Sequence, residues 1–305
     1  MIERVVELLA AHYVFPEVGA ELGGLLTDRL AAGCYDNVGD ESSLAGLVTV
    51  DLQSINEDKH LRLLHSDDEV ADESDADGQM AAFTQYAELN CGGVARVQRL
   101  DGNIGYVELR PILFPPSIVG DVVAGAMTLI ASTDALLIDV RQCLGGDPSM
   151  VAFLCSYLFG DEPVHLIDIF ERADDRTKQC WTLPYVPGRR FGPTKPVYLL
   201  TSGTTFSGAE DLCFDLQELR RATVVGERTG GGAHPREGFR VHPHLEATIP
   251  IARAISPRSG TNWESTGVIP DIEVTADQAF DVAVRLASDA SNPCAARDSN
   301  PEPAD

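Results

Sequence analysis

Residues 197–229, VYLLTSGTTFSGAEDLCFDLQELRRATVVGERT, constrain the fold more than any other stretch of the chain. Val197 to Leu200 make a short apolar run suited to a buried strand. Gly203, Thr204 and Thr205 interrupt it. Past Ser207, residues Ala209, Leu212, Cys213, Leu216 and Leu219 recur at helical spacing, and Ala222 to Val225 begin another apolar run. Strand, tight turn, helix and strand in that order is the building unit of α/β folds.

Ser207 opens the helix, and its position supports two readings. Ser207-Gly208-Ala209-Glu210 is S-x-x-E, a capping box that merely ties down a helix start. A hydroxyl there also lies among unpaired N–H groups at the positive end of the helix dipole, where a developing oxyanion is stabilised. Local pattern leaves both open.

The formal net charge is −24 over 305 residues, which argues against nucleic acid and anionic membrane surfaces as partners. Three lysines, Lys59, Lys178 and Lys195, leave arginine as the main positive residue. Seven cysteines, none in a C-x-x-C pair, fit neither a disulfide framework nor a zinc site. Buried free thiols in a reducing compartment are expected instead. The opening MIERVVELLAAHYVF is acidic early and has no small-residue cleavage site, so no signal peptide is expected. With no apolar run of spanning length, the expected location is the cytoplasm.

Amphipathic spacing predicts helices over residues 2–33 and from Ser42 to Ile55, then a strand beginning before Leu64. Ser66 to Asp77, SDDEVADESDAD, reads as a solvated acidic loop. From Val94 the pattern becomes α/β. Val94–Leu100 and Ile104–Leu109 flank an Asp-Gly-Asn turn, Ile118–Ser132 is helical, and Ala135–Val140 is an apolar strand with Asp139 at its end. Asp147-Pro148-Ser149 caps a helix. Strands follow at Val164–Arg172, Cys180–Tyr185, Phe239–His242 and Ala247–Pro250, and a last helix at Ala276–Ser288. The expected division is a helical subdomain over 1–65, an acidic linker and connecting helix over 66–93, an α/β core over 94–289 and a disordered tail over 290–305.

Five motifs stand out in order: D-K-H-L at Asp58–Leu61, D-V-R-Q-C-L-G-G at Asp139–Gly146, T-F-S-G-A-E at Thr205–Glu210, G-E-R-T-G-G-G-A-H-P at Gly226–Pro235, and N-W-E-S-T-G-V-I-P-D at Asn262–Asp271. No one of them is diagnostic; the ordered set is. It resembles the tail-specific (C-terminal processing) serine peptidase superfamily, in the branch typified by interphotoreceptor retinoid-binding protein and the tricorn core. The resemblance runs from HYVFPE to GVIPDIEV.

It implies a crotonase/ClpP-like core of ββα units with an N-terminal helical subdomain. It makes Ser207 the nucleophile, His60 the general base and Glu264 the residue that orients the histidine. The N–H of Gly208 and one from Gly145 or Gly146 would form the oxyanion hole. The chemistry fits, since a serine hydroxyl needs a base and the base needs a third group to fix its tautomer. His234 is the alternative base. Arg141 is expected to brace the glycine loop, and Cys143 to serve packing.

Relatives with a Ser–Lys dyad place lysine after the nucleophile helix, where this chain has Gly230–His234. Lys59 stands where the tricorn-type pair has serine. Cys143 and Leu144 replace polar or small residues. No cofactor or metal is implied. The expected substrate is a peptide or a small amide or ester, and homo-oligomerisation is compatible with the chain. Two other functions share these residues: non-catalytic binding of hydrophobic small molecules, and acyl transfer, ester hydrolysis or cyclisation on the same fold.

Overall fold

The computed structural model describes residues 1–70 and 76–291. Most of the expected tail and part of the acidic run lie outside them. Along the chain come α1 (Ile2–His12), α2 (Pro16–Ala31), α3 (Glu41–Leu52), β1 (Arg62–His65), α4 (Ala76–Leu89), β2 (Val94–Leu100), β3 (Ile104–Leu109), α5 (Pro116–Ile130), β4 (Ala135–Asp139) and α6 (Pro148–Leu158). There follow β5 (His165–Glu171), β6 (Arg176–Trp181), β7 (Val197–Thr201), α7 (Gly208–Glu218), β8 (Thr223–Gly226), β9 (Arg236–His242), β10 (Leu245–Pro250), β11 (Ala252–Ile255), β12 (Ile272–Glu273) and α8 (Ala276–Ser291).

The helix starts follow local chemistry. Pro16 and Pro148 occupy first-turn positions, where a missing N–H costs nothing. Asp40 and Asp147 cap α3 and α6 from extended backbone, their carboxylates accepting the N–H groups of Ser43 and Ser149 at 2.7 Å.

The chain forms two compact units: Met1–Tyr86 with Leu166–Cys180 and Gly231–Gly267, and Ala87–His165 with Trp181–Gly230 and Val268–Asp305. The first therefore takes in two segments from the stretch expected to be core. It holds α1, α2, α3 and two three-stranded sheets, ordered β1-β10-β9 and β11-β5-β6. Leu8, Leu9, Leu22, Leu26 and Leu52 of the helices share a core with Leu63, Leu245 and Ile249 of the first sheet. Arg172 ties the end of α1, donating to the carbonyls of Tyr13 (2.5 Å) and Ala10 (2.9 Å).

The second unit is built on a six-stranded sheet ordered β12-β8-β7-β4-β3-β2. Only β2 is antiparallel; β3, β4, β7, β8 and β12 run parallel. β4 and β7 are buried at every position, as central strands covered on both faces must be. On one face Ile104, Tyr106, Leu137, Leu200 and Val225 pack with Ala279, Ala283 and Ala287 of α8.

Two expectations are corrected. The strand expected at Cys180–Tyr185 lies at Arg176–Trp181, and two short strands, β11 and β12, were not anticipated. The expectation of buried thiols holds for Cys143, Cys155 and Cys213, but Cys34 and Cys91 are exposed, Cys34 in the turn after α2 and Cys91 in the turn after α4. Cys294 lies outside the described residues. Among those residues no helix is long and apolar enough to cross a membrane.

Candidate active site

The six expected site residues fall in two groups. Ser207, Gly208, Gly145 and Gly146 belong to the second unit; His60 and Glu264 belong to the first, as do Asp58 and His234. Each group has its own geometry.

In the second unit the site is made by strand order. β4 and β7 are neighbours, with Asp139 opposite Leu200. The loops leaving their carboxyl ends, residues 140–147 and 202–207, therefore emerge side by side, where open α/β sheets carry their ligands. Arg141 braces the first loop: Nε and Nη2 donate to the Asp139 carboxylate (2.9 and 2.5 Å) and Nη1 to the Ala276 carbonyl (2.7 Å). The Arg141 carbonyl accepts the hydroxyls of Ser202 (2.6 Å) and Thr204 (2.9 Å), and the Val140 carbonyl that of Thr205 (2.9 Å). The loops are thus stitched together before Ser207 is reached.

Ser207 has φ 52° and ψ −123°. A side-chain-bearing residue pays about 1–3 kcal/mol for such a conformation. An ordinary cap sits in extended backbone, as Asp40 and Asp147 do. Ser207 and Glu210 form the capping box that the pattern offered, but Ser207 does so from a sharp strained turn between β7 and α7, the geometry of a nucleophile elbow. Its N–H donates to Oε2 of buried Glu210 (2.8 Å), whose Oε1 accepts the Thr229 hydroxyl (2.5 Å). The Phe206 N–H is held by the Cys143 carbonyl (3.1 Å). These bonds fix the turn against its strain.

The glycine loop lies against this turn. A Cβ on Gly145 would stand 2.6 Å from Ser207 Cβ, and one on Gly208 would stand 2.7 Å from the Gly146 carbonyl oxygen. Gly145 and Gly146 also take φ of 115° and 131°, which glycine alone adopts without strain. Among the described residues neither the Gly146 nor the Gly208 N–H has a hydrogen-bond acceptor. Two donors beside a serine on such a turn meet the local geometry of an oxyanion hole.

Cys143 does not compete as nucleophile. It is wholly buried, its thiol points at the Gly145 carbonyl (3.6 Å), and burial pushes its pKa up to about 11. Lys195 donates to the carbonyls of Ala131 (2.6 Å) and Thr133 (2.9 Å), and Lys178 lies on the exposed face of β6.

In the first unit the centre is Asp58, wholly buried. Oδ1 accepts the His60 backbone N–H (3.1 Å), a tight Asx turn. Oδ2 accepts the Tyr13 hydroxyl (3.0 Å) and faces Nδ1 of His234 (2.7 Å). Asn56 donates to the Tyr13 oxygen (2.6 Å). The Thr248 hydroxyl donates to the His60 carbonyl (2.5 Å), so His60 is clamped on both sides. Burial lowers the His60 pKa to about 4; Asp58 opposes this, while Arg236, His234 and Arg62 add to it.

Glu264 bridges three segments of this unit. Oε1 accepts the Lys59 N–H (3.0 Å); Oε2 accepts the Ala233 N–H (2.5 Å) and lies 3.4 Å from His234 Nδ1. Burial, then the neighbouring Asp58, raise its pKa. Its partner Trp263 is anchored by an indole N–H to the Gly232 carbonyl (2.8 Å). Asp58, His234 and Glu264 offer donor atoms within 4.8 Å of one another, the composition of a cation site. Hydrogen bonds already engage these same oxygens.

Sequence reasoning missed Asp58 as a hub and undervalued His234. The two-residue spacing of Asp58 to His60, and the His-Pro closing the glycine run, were the available signals.

Residues 103–274 match peptidase family S41, and residues 1–90 match the N-terminal domain of that family in eukaryotic IRBP. Among solved structures the chain is similar to the tricorn protease (TM-score 0.62, 13% identity, 96% of this chain and 36% of that one). It is similar to a lipoprotein from Streptococcus agalactiae (0.59, 14%, 95% and 96%). A third is the photosystem II D1 C-terminal processing protease (0.53, 15%, 95% and 97%). These likenesses establish a shared mixed α/β fold with N-terminal helices, and with the family match they lead to one conclusion: the chain belongs to peptidase family S41.

Proposed function

We propose that the protein is a serine peptidase that hydrolyses peptide or amide bonds through an acyl-enzyme. The observation that carries this is the backbone of Ser207, strained where the caps of α3 and α6 are relaxed, with two glycine N–H groups beside it. Ser207 Oγ attacks the scissile carbonyl carbon, and His60, neutral near pH 7, takes its proton. The N–H of Gly208 and that of Gly145 or Gly146 receive the oxyanion. Collapse expels the amine, which leaves with the proton from His60. Water, deprotonated by the same histidine, then cleaves the ester and frees Ser207. Glu264 orients the histidine through the Lys59 backbone. The β2–β3 hairpin followed by α5 and β4 favours reading the core as crotonase/ClpP-like. The buried free thiols fit a cytoplasmic location.

A second reading, binding of hydrophobic small molecules, draws on the match of residues 1–90 and on Leu144, 57% exposed beside the glycine loop. Intact-mass labelling with a fluorophosphonate separates the two. Wild type should gain one adduct at Ser207; Ser207→Ala should gain none, and His60→Ala should label about a hundredfold or more slowly. Folded wild type that stays unlabelled between pH 6 and 9 would overturn the peptidase reading.

A further inference from the structure

Two carboxylates share one imidazole nitrogen in the first unit. His234 Nδ1 is 2.7 Å from Asp58 Oδ2 and 3.4 Å from Glu264 Oε2, and all three side chains are buried or nearly so. Two buried carboxylates this close repel when both are charged, and the imidazole nitrogen lies between their oxygens. Phe15 meets the His234 ring edge-on at 5.2 Å, keeping water from that side. Asp58 is the member that reaches His60. One oxygen fixes the His60 peptide, and its charge acts on the imidazole against Arg62, Arg236 and His234.

We propose that Asp58 is the positioning residue of His60, and that His234, held between Asp58 and Glu264, sets the charge His60 experiences. This rests on His60 being the base. Neither Asp58 nor His234 touches substrate in this scheme; both act through His60. Lys59 fits the scheme. Its backbone N–H is held by Glu264 and the next N–H by Asp58, so the two carboxylates fix consecutive peptides on the approach to the histidine. A serine side chain at position 59 is then not required to orient the base.

The test pairs two readouts on the full chain. Imidazole resonances of His60 are titrated by NMR in wild type, Asp58→Asn and His234→Asn, and fluorophosphonate labelling of Ser207 is followed across pH in the same proteins. Asp58→Asn keeps the acceptor for the His60 N–H but removes the charge, so His60 should titrate lower than in wild type. His234→Asn removes a group that lowers the His60 pKa, so His60 should titrate higher and the acid limb of labelling should shift the same way. Labelling at pH 7 should slow about tenfold or more in Asp58→Asn. If folded variants leave the His60 titration unmoved and only lower the melting temperature, the trio is structural and the proposal fails. Should Asp58→Asn not fold, His234→Asn carries the same test. A wild type that is never labelled overturns the peptidase reading alone, because the titration still reports on the trio.

Discussion

At Ser207 the chain holds a side chain where the backbone favours glycine. Strain of about 1–3 kcal/mol at a non-glycine φ of 52° exceeds the roughly 0.5–1 kcal/mol of entropy that glycine loses on folding. Ser207→Gly should therefore stabilise the protein by about 1 kcal/mol while abolishing fluorophosphonate labelling. Urea unfolding of the two proteins at pH 7 checks this; an unchanged or lower stability would mean that the turn is not strained. Gain of stability on loss of the nucleophile is the expected trade at a site built for chemistry rather than for folding.

Among the elements, the glycine loop after β4 is the most exposed to substitution. A Cβ on Gly146 would run into the Leu113 backbone, and the parallel bridge between Leu113 and Gly146 leaves it no room to move. Gly146→Ala should cut the labelling rate about a hundredfold or more, the scale of losing one oxyanion donor. Gly203→Ala, whose Cβ would make only an ordinary contact with Glu227 Oε2 at 3.8 Å, should label at the wild-type rate. Both rates come from one time course. This loop was legible before the structure because Ala135–Ile138 and Val197–Leu200 are unbroken apolar runs, which bury as neighbouring parallel strands. β6 was not: RTKQCW is exposed at nearly every position, so no alternation marks it. β12 has two residues, too few for any period. The Asp58 hub was illegible because its partners Tyr13 and His234 lie 45 and 176 residues away, and spacing carries no signal over such separations.

Across the whole molecule two buried groups pull the pH dependence of stability in opposite directions. His60 has a folded pKa lowered to about 4, so the stability it permits is complete above about pH 6.5 and is lost as pH falls toward 4. Burial raises Asp211 on α7 to about 7, and its Oδ1 has no hydrogen-bond partner among the described residues. Its carboxyl folds best protonated, so stability falls as pH rises from about 4 to 7. Shifts of this size are each worth several kcal/mol, and the two trends oppose each other. Relative to wild type between pH 4 and 7, the profile of His60→Gln should fall more steeply with rising pH and that of Asp211→Asn should rise. Parallel profiles in all three proteins would show that neither group couples its proton to folding.

The chain leaves the central sheet after β4 and returns at β7, and those two strands lie side by side. Everything between them is an excursion whose two ends are fixed one strand spacing apart, about 4.8 Å. The excursion is long and includes Leu166–Cys180, which belongs to the other unit. Beyond the glycine loop and the buried α6, its length and composition can drift without moving that loop relative to the serine turn. The reactive geometry is inherited from strand adjacency, and the rest of the intervening chain is free to be lengthened, trimmed or exchanged as substrates change.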